Sequence, residues 1–176
     1  MIYKELGKTG LKVSEIGLGT EFLFRQSKET TADVISYAIK NKINYIDILF
    51  TVQDYLENIS AAIKNYKDKI VITGHIGSKD NEGIPKKTRK IKECRQGFLK
   101  MLEILDIDYV DVINIQFVSL TDIPKLYSVN GLYELALSFQ KEGKAKFIGL
   151  STHDINIALQ AVNIGKFDTI MFPINL

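Results

Sequence analysis

Tyr109-Val110-Asp111-Val112-Ile113-Asn114-Ile115 is a short run rich in Val and Ile, the composition of a parallel strand covered on both faces. Ahead of it, Lys87–Leu105 carries apolar residues three and four apart and reads as a helix, and ahead of that Ile70–Gly74 is another apolar run. Strand, helix, strand in this order is the right-handed crossover of a parallel sheet. The alternation extends both ways. Ile16–Thr20, Ile43–Asp47, Phe147–Ser151 and Asp168–Phe172 read as strands, with Glu29–Lys42, Asp54–Tyr66, Gly131–Gly143 and Asp154–Ile164 as the helices between them. Gly7-Lys8-Thr9-Gly10 lies between Tyr3–Leu6 and Leu11–Val13, a turn signal that predicts an N-terminal β-hairpin capping one end of the sheet.

Composition narrows the function classes. With 176 residues, 45% hydrophobic and 25% charged, the chain has the make-up of one globular domain, 1–176, and no linker or low-complexity run divides it. The 23 basic and 21 acidic residues are spread along the chain and leave a net charge of +2, which is no field for nucleic acid or an anionic membrane. Small molecules are the expected partners. Cys94 is the one cysteine, so no internal disulfide or thiolate metal site forms, and a reducing compartment is expected. The N-terminus lacks an apolar signal core and no uncharged stretch is long enough to span a bilayer, which predicts a cytoplasmic protein.

An open doubly wound sheet and a closed barrel both follow from this alternation. Gly17-Leu18-Gly19-Thr20-Glu21-Phe22 lacks the third glycine of a dinucleotide-binding turn, which argues against the first. A closed barrel needs eight strands and about 250 residues. Six strands are legible, so the fold expected is an α/β, incomplete TIM (β/α)8-type barrel of about six strand-helix units behind the hairpin.

The segment Tyr3-Lys4-Glu5-Leu6-Gly7-Lys8-Thr9-Gly10-Leu11-Lys12-Val13-Ser14-Glu15-Ile16-Gly17-Leu18-Gly19-Thr20 closely resembles the N-terminal signature of the aldo-keto reductases. The resemblance continues through Ile43-Asn44-Tyr45-Ile46-Asp47, Asp108-Tyr109-Val110-Asp111, Gly143-Lys144-Ala145-Lys146-Phe147-Ile148-Gly149-Leu150-Ser151 and Phe167-Asp168-Thr169, and so covers the whole chain. Gly149-Leu150-Ser151-Thr152-His153 with the run from Phe167 to Asn175 looks most like the branch that often carries a C-terminal ferredoxin-like segment. No such segment, and hence no iron-sulfur cluster, is expected here, and the barrel is expected to stop after its sixth strand.

The resemblance implies a TIM barrel that reduces small carbonyl substrates with NADP(H) or NADH. It also implies a tetrad at the C-terminal ends of the strands: a tyrosine acid, a lysine paired with an aspartate, and a histidine that orients the substrate oxygen. Asp47 matches the aspartate. The tyrosine position, five residues on, holds Val52; the lysine is replaced by His75, and the histidine falls on Gln116. Valine has no proton to give, and a general acid contributes typically 10² to 10⁴ in rate. Tyr55 lies three residues further on and could turn its hydroxyl to the site. Asp47 and His75 end adjacent strands, so a hydrogen-bonded pair is expected. The pair admits two readings: an acid-base device, or a histidine that fills the space of the lysine and satisfies the carboxylate. For the nicotinamide amide, Ser151, Thr152 and Asn175 are the candidate contacts, whereas the position of the usual glutamine holds Met171. Phosphate contacts fall beyond Leu176, so weak cofactor binding is expected.

His153 adds to a polar ring with Asp47, His75 and Gln116, but no local metal motif is present and no metal is expected. It equally leads into the next helix, with Asp154 as N-cap. Asp54 suits the same role before the second helix. Cys94, at helical spacing between Ile91 and Phe98, reads as core, and Lys86, Lys87, Arg89, Lys90 and Lys92 as the solvated start of a helix. Two functions follow: an aldo-keto-reductase-like oxidoreductase with a degenerate tetrad and weak or no activity, or an inactive barrel fragment that binds a ligand or protein. Two open, apolar sheet edges predict self-association.

Overall fold

A computed structural model of the chain describes residues 1–174. The N-terminal hairpin forms from β1 (Tyr3–Glu5) and β2 (Lys12–Ser14). The strand-helix succession then runs β3 (Leu18–Gly19), α1 (Lys28–Lys40), β4 (Tyr45–Ile48), α2 (Gln53–Ile63) and β5 (Val71–Ile76). An inserted antiparallel hairpin, β6 (Ser78–Asn81) and β7 (Ile84–Lys87), precedes α3 (Ile91–Leu105) and β8 (Val110–Ile115). The short α4 (Ile123–Leu126), then α5 (Leu132–Lys141), β9 (Ala145–Ser151), α6 (Ile155–Ile164) and β10 (Thr169–Met171) follow.

Six strands form one parallel, curled sheet in the order β10-β9-β8-β5-β4-β3. This is the incomplete barrel expected from the sequence. Among the described residues β3 and β10 do not pair with one another. Ile46, Ile48, Ile72, Ile76, Ile113, Ile115, Ile148 and Leu150 turn into a core shared with Leu56, Ile59, Phe98, Met101, Phe139 and Ile157 of the helices. Phe98 and Phe139 stack with centroids 4.4 Å apart. The intervening strand positions carry Asp47, Thr73, His75, Asn114, Gly149, Ser151 and Thr169 beside Val112 and Phe147, so polar side chains gather on the face away from the core. Register aligns four of these residues: His75 opposite Asn114, Asn114 opposite Gly149, Gly149 opposite Thr169.

The first hairpin sits at the N-terminal ends of the strands. Asn44 accepts from the Ser14 N–H at 2.7 Å and donates to the Lys12 carbonyl at 2.9 Å. Its turn reaches across to β10, where Gly7, at φ +56°, lies against the Asp168 carbonyl. The hairpin thus spans the floor from one edge of the sheet to the other.

Several boundaries differ from the sequence reading, each for a local reason. The strand expected over Ile16–Thr20 shrinks to Leu18–Gly19, because Thr20 gives both its N–H and its hydroxyl to the Asp47 carbonyl and the chain turns away. The helix expected from Lys87 begins at Ile91, and Lys86 and Lys87 belong to β7. Glu82 and Gly83, both at positive φ, close the inserted hairpin in a two-residue turn between Asn81 and Ile84, the geometry that matches strand twist. Asp54 lies inside the first turn of α2 rather than at its cap. Val52 holds the cap position, and Asp80 of the hairpin accepts from the Gln53 N–H at 3.4 Å. Asp154 caps α6 as expected, accepting from the Asn156 and Ile157 N–H groups. Cys94 is buried.

A Cβ at Gly149 would clash with Asn114 Oδ1 and Thr169 Oγ1. Overpacking of this kind costs about 1–3 kcal/mol. Gly149→Ala is therefore expected to lower stability by about 2 kcal/mol in urea unfolding, with an unchanged m-value.

Candidate functional site

The C-terminal ends of the strands bring Asp47 and His75 together: His75 Nε2 lies 2.6 Å from Asp47 Oδ1. The imidazole is wholly buried and the carboxylate 14% exposed. Nε2 faces the carboxylate, and Nδ1 lies on the other side of the ring. Among the described residues Nδ1 has no hydrogen-bond partner, and neither do the buried Asn114 Oδ1 and Gln116 Nε2. Gln116 Oε1 accepts from Ser78 Oγ at 3.4 Å. One strand position below, Thr73 donates to the Tyr45 hydroxyl at 2.7 Å, and burial raises that phenol.

Position 52 does not open onto this cluster in a useful way. Val52 is buried in the core with Leu49, Phe50 and Tyr55. Tyr55 has turned its hydroxyl to Thr20 Oγ1 and accepts from the Leu49 N–H at 3.3 Å. Burial raises it well above an ordinary phenol, the wrong direction for a proton donor. Ser151 ends β9 and Thr152 follows it. The Thr152 hydroxyl is spent within the protein, donating to the Val118 carbonyl at 2.8 Å and accepting from the Asp154 N–H at 3.1 Å. Ser151 Oγ makes no hydrogen bond among the described residues. Met171 is half-buried on β10, and Asn175 lies outside the described residues.

His153 does not join the ring. It is exposed and set edge-on to Phe117, centroids 6.3 Å apart. Among the described residues no three His, Cys, Asp or Glu side chains are grouped to hold a metal ion. Burial pushes the Cys94 thiol up to about 11, which leaves it unreactive.

The residue that ties the mouth together escaped the sequence reading. Arg89, taken there as part of a solvated basic run, donates to the Gly77 carbonyl at 3.3 Å, to those of Gln116 and Phe117 at 3.0 and 2.8 Å, and to both carboxylate oxygens of Asp122. Lys87 joins it on Asp122 at 3.0 Å. Phe117 holds a positive φ, and its carbonyl is fixed by both cations. The readable signal was Ser119-x-x-Asp122, a reciprocal cap. The inserted hairpin carries its own signal in Glu82-Gly83. A cavity of about 730 Å³ lies at the opposite end of the strands among Lys67, Asp106, Tyr109, Asp111 and Lys146, away from this chemistry. A cavity of about 280 Å³ lies beside Val52 and Tyr55.

These features define a barrel-type α/β domain with a carboxylate-imidazole pair at its mouth. The chain belongs to the aldo/keto reductase family, whose model matches residues 15–175. YqkF of Bacillus subtilis, described as an uncharacterized oxidoreductase, is 25% identical over 181 residues, covering 98% of this chain and 56% of that protein. Protein tas of Escherichia coli is 26% identical over 180 residues, covering 86% of this chain and 52% of that protein. The chain thus spans about half the length of the curated relatives it matches. A solved structure from Pseudomonas aeruginosa, assigned to the aldo-keto reductases, superposes with a TM-score of 0.84 at 24% identity, over 99% of this chain and 68% of that one. That likeness carries the fold. No helix among the described residues is long and apolar enough to cross a membrane.

Burial works to raise the Asp122 carboxyl, but the hydrogen bonds from Arg89, the Ser119 N–H and Lys87 outweigh it and hold the group well below the usual 3.8. A depressed folded-state value stabilises the protein above the unfolded value and loses that contribution as pH falls towards the folded one. Asp122→Asn is therefore expected to lower the urea midpoint at pH 7 and to flatten its decline below about pH 4.

Proposed function

We propose that the chain is an oxidoreductase-type family member in which NAD(P)H-dependent reduction of small carbonyl compounds is strongly weakened. The observation that carries this reading is the buried Asp47–His75 contact at 2.6 Å. The carboxylate that would pair with a lysine is engaged by an imidazole. No acid stands in for the missing tyrosine, because Val52 is apolar and the Tyr55 hydroxyl is directed to Thr20. Of the tetrad implied by the family resemblance, Asp47 alone is retained; His75 and Gln116 stand where the lysine and histidine would.

The donors at hand fit a nicotinamide amide poorly. Thr152 is already satisfied internally, Met171 offers no amide, and Ser151 supplies one hydroxyl. Weak cofactor binding follows. A second reading, a barrel domain that acts by binding a ligand or a protein, draws on the same closure: His75, Asn114 and Gln116 are all buried. A cytoplasmic location fits either reading.

Steady-state reduction of common aldehydes with NADPH is expected to run at least about a hundredfold slower than in a family member with an intact tetrad. A rate within tenfold would overturn the reading. Fluorescence titration is expected to give a dissociation constant for NADPH above about 100 μM; low-micromolar binding would mean that the amide and phosphates find contacts beyond Ser151.

A further inference from the structure

Ten asparagines stand in the chain, and nine of them precede a lysine, glutamate, tyrosine, leucine or isoleucine. Asn130 alone precedes a glycine. The pair lies in the turn between α4 and α5, with Asn130 exposed at φ +62° and Gly131 buried as the N-cap of α5. The fold asks for both residues. A left-handed φ favours glycine or asparagine over other side chains. A Cβ at position 131 would clash with the Lys125, Leu126 and Ser128 carbonyl oxygens, which belong to the backbone and cannot swing aside. The contacts that impose this lie within residues 125–131. Ser128 Oγ donates to the Lys125 carbonyl at 2.9 Å, and the Gly131 N–H to the Ser128 carbonyl at 2.8 Å.

An asparagine carboxamide is an electrophile one ring closure away from the next residue's amide nitrogen, and glycine, with no Cβ, leaves that approach open. We propose that Asn130-Gly131 is a site of spontaneous modification, at which the chain converts its own asparagine to a mixture of aspartyl and isoaspartyl residues with water as co-reactant. In the first step the Gly131 nitrogen bonds to Asn130 Cγ, the Cγ–Nδ2 bond breaks, and the Gly131 amide proton leaves with the side-chain nitrogen as ammonia. In the second, water adds to one carbonyl of the five-membered succinimide. Opening at Cγ restores the main chain as aspartate; opening at the main-chain carbonyl carbon routes the chain through Cγ as isoaspartate. Nothing is oxidised or reduced. The fold restrains the step it makes possible. The attacking nitrogen is tied to the Ser128 carbonyl, so the folded chain reacts through local opening of the turn. Both products place a carboxylate one residue ahead of the α5 N-cap, where the helix dipole favours it, beside a cavity of about 140 Å³ lined by Arg89, Asp122 and Lys125 among others. Aspartate keeps the turn, whereas isoaspartate adds a carbon to a crowded main chain.

The tryptic peptide 126–141 contains Asn130 as its one asparagine, so mass spectrometry localises the change. During incubation of the full chain for several weeks at about 37 °C and about pH 7.4, this peptide is expected to gain about 1 Da. It is expected to divide into two products, one of them methylated by a protein isoaspartyl methyltransferase, and to do so faster at higher pH, as attack by a deprotonated amide requires. In about 6 M guanidinium chloride the rate is expected to rise at least about tenfold. Asn130→Gly, which suits the same φ, is expected to keep the circular dichroism spectrum and to abolish isoaspartate in that peptide. A folded chain whose peptide stays unmodified, a folded rate equal to the unfolded one, or isoaspartate persisting in Asn130→Gly would each overturn the proposal.

Discussion

A carboxylate held against the polar face of a parallel sheet must have a donor, and Asp47 finds it in His75 at 2.6 Å. An unpaired buried charge is costly enough that a chain lacking the usual cation has to supply another partner from a neighbouring strand. The arrangement of the mouth follows from that need. β4 and β5 are adjacent and parallel, so a side chain two positions beyond the residue paired with Asp47 reaches its carboxylate. Histidine is long enough to do so and flat enough to be wholly enclosed. What it gives up is reach: the ring ends at Asp47, and its second nitrogen is left without a partner among the described residues.

Loss of the tyrosine has a matching structural consequence. A residue that must present a hydroxyl to a substrate has to stand clear of the core, whereas Val52 lies within it, beside Leu49, Phe50 and Tyr55. Phe24 packs edge-on against Phe50 and Tyr55 at 5.5 and 6.4 Å, and the Tyr55 hydroxyl is used against Thr20, which ties the end of β3 to β4. The segment after β4 is built as core. Its helix is consequently capped from outside, by Asp80 of the inserted hairpin.

The fold was largely legible in the sequence, and the mouth only in part. Runs such as Ile70–Gly74 and Tyr109–Ile115 are apolar enough to declare strands, and the helices between them carry a clear 3.6-residue period. The pairing of Asp47 with His75 was readable because both end adjacent strands. What could not be read were interactions set by three-dimensional reach. Arg89 is indistinguishable by composition from the lysines around it, yet its guanidinium alone has the forked geometry to bind three carbonyls and Asp122 together. His153 follows a strand end as a site residue would, but the chain turns it outward onto Phe117. Asn114 is a polar residue in a largely apolar strand, a signal visible in the sequence whose meaning depends on Gly149 opposite it.

That glycine shows how one layer of the sheet restricts the next. Gly149 leaves a gap in the row His75-Asn114-Gly149-Thr169, and the Asn114 carboxamide occupies it. A side chain at position 149 would displace the Asn114 carboxamide or the Thr169 hydroxyl. The row is therefore constrained at two points: the carboxylate fixes the imidazole, and the amide demands a glycine opposite it. Loops at the mouth are locked from outside by Arg89, Lys87 and Asp122. A mouth packed this way draws its order from contacts made within the protein itself, each strand end fixing the side chain of its neighbour or the loop that follows it.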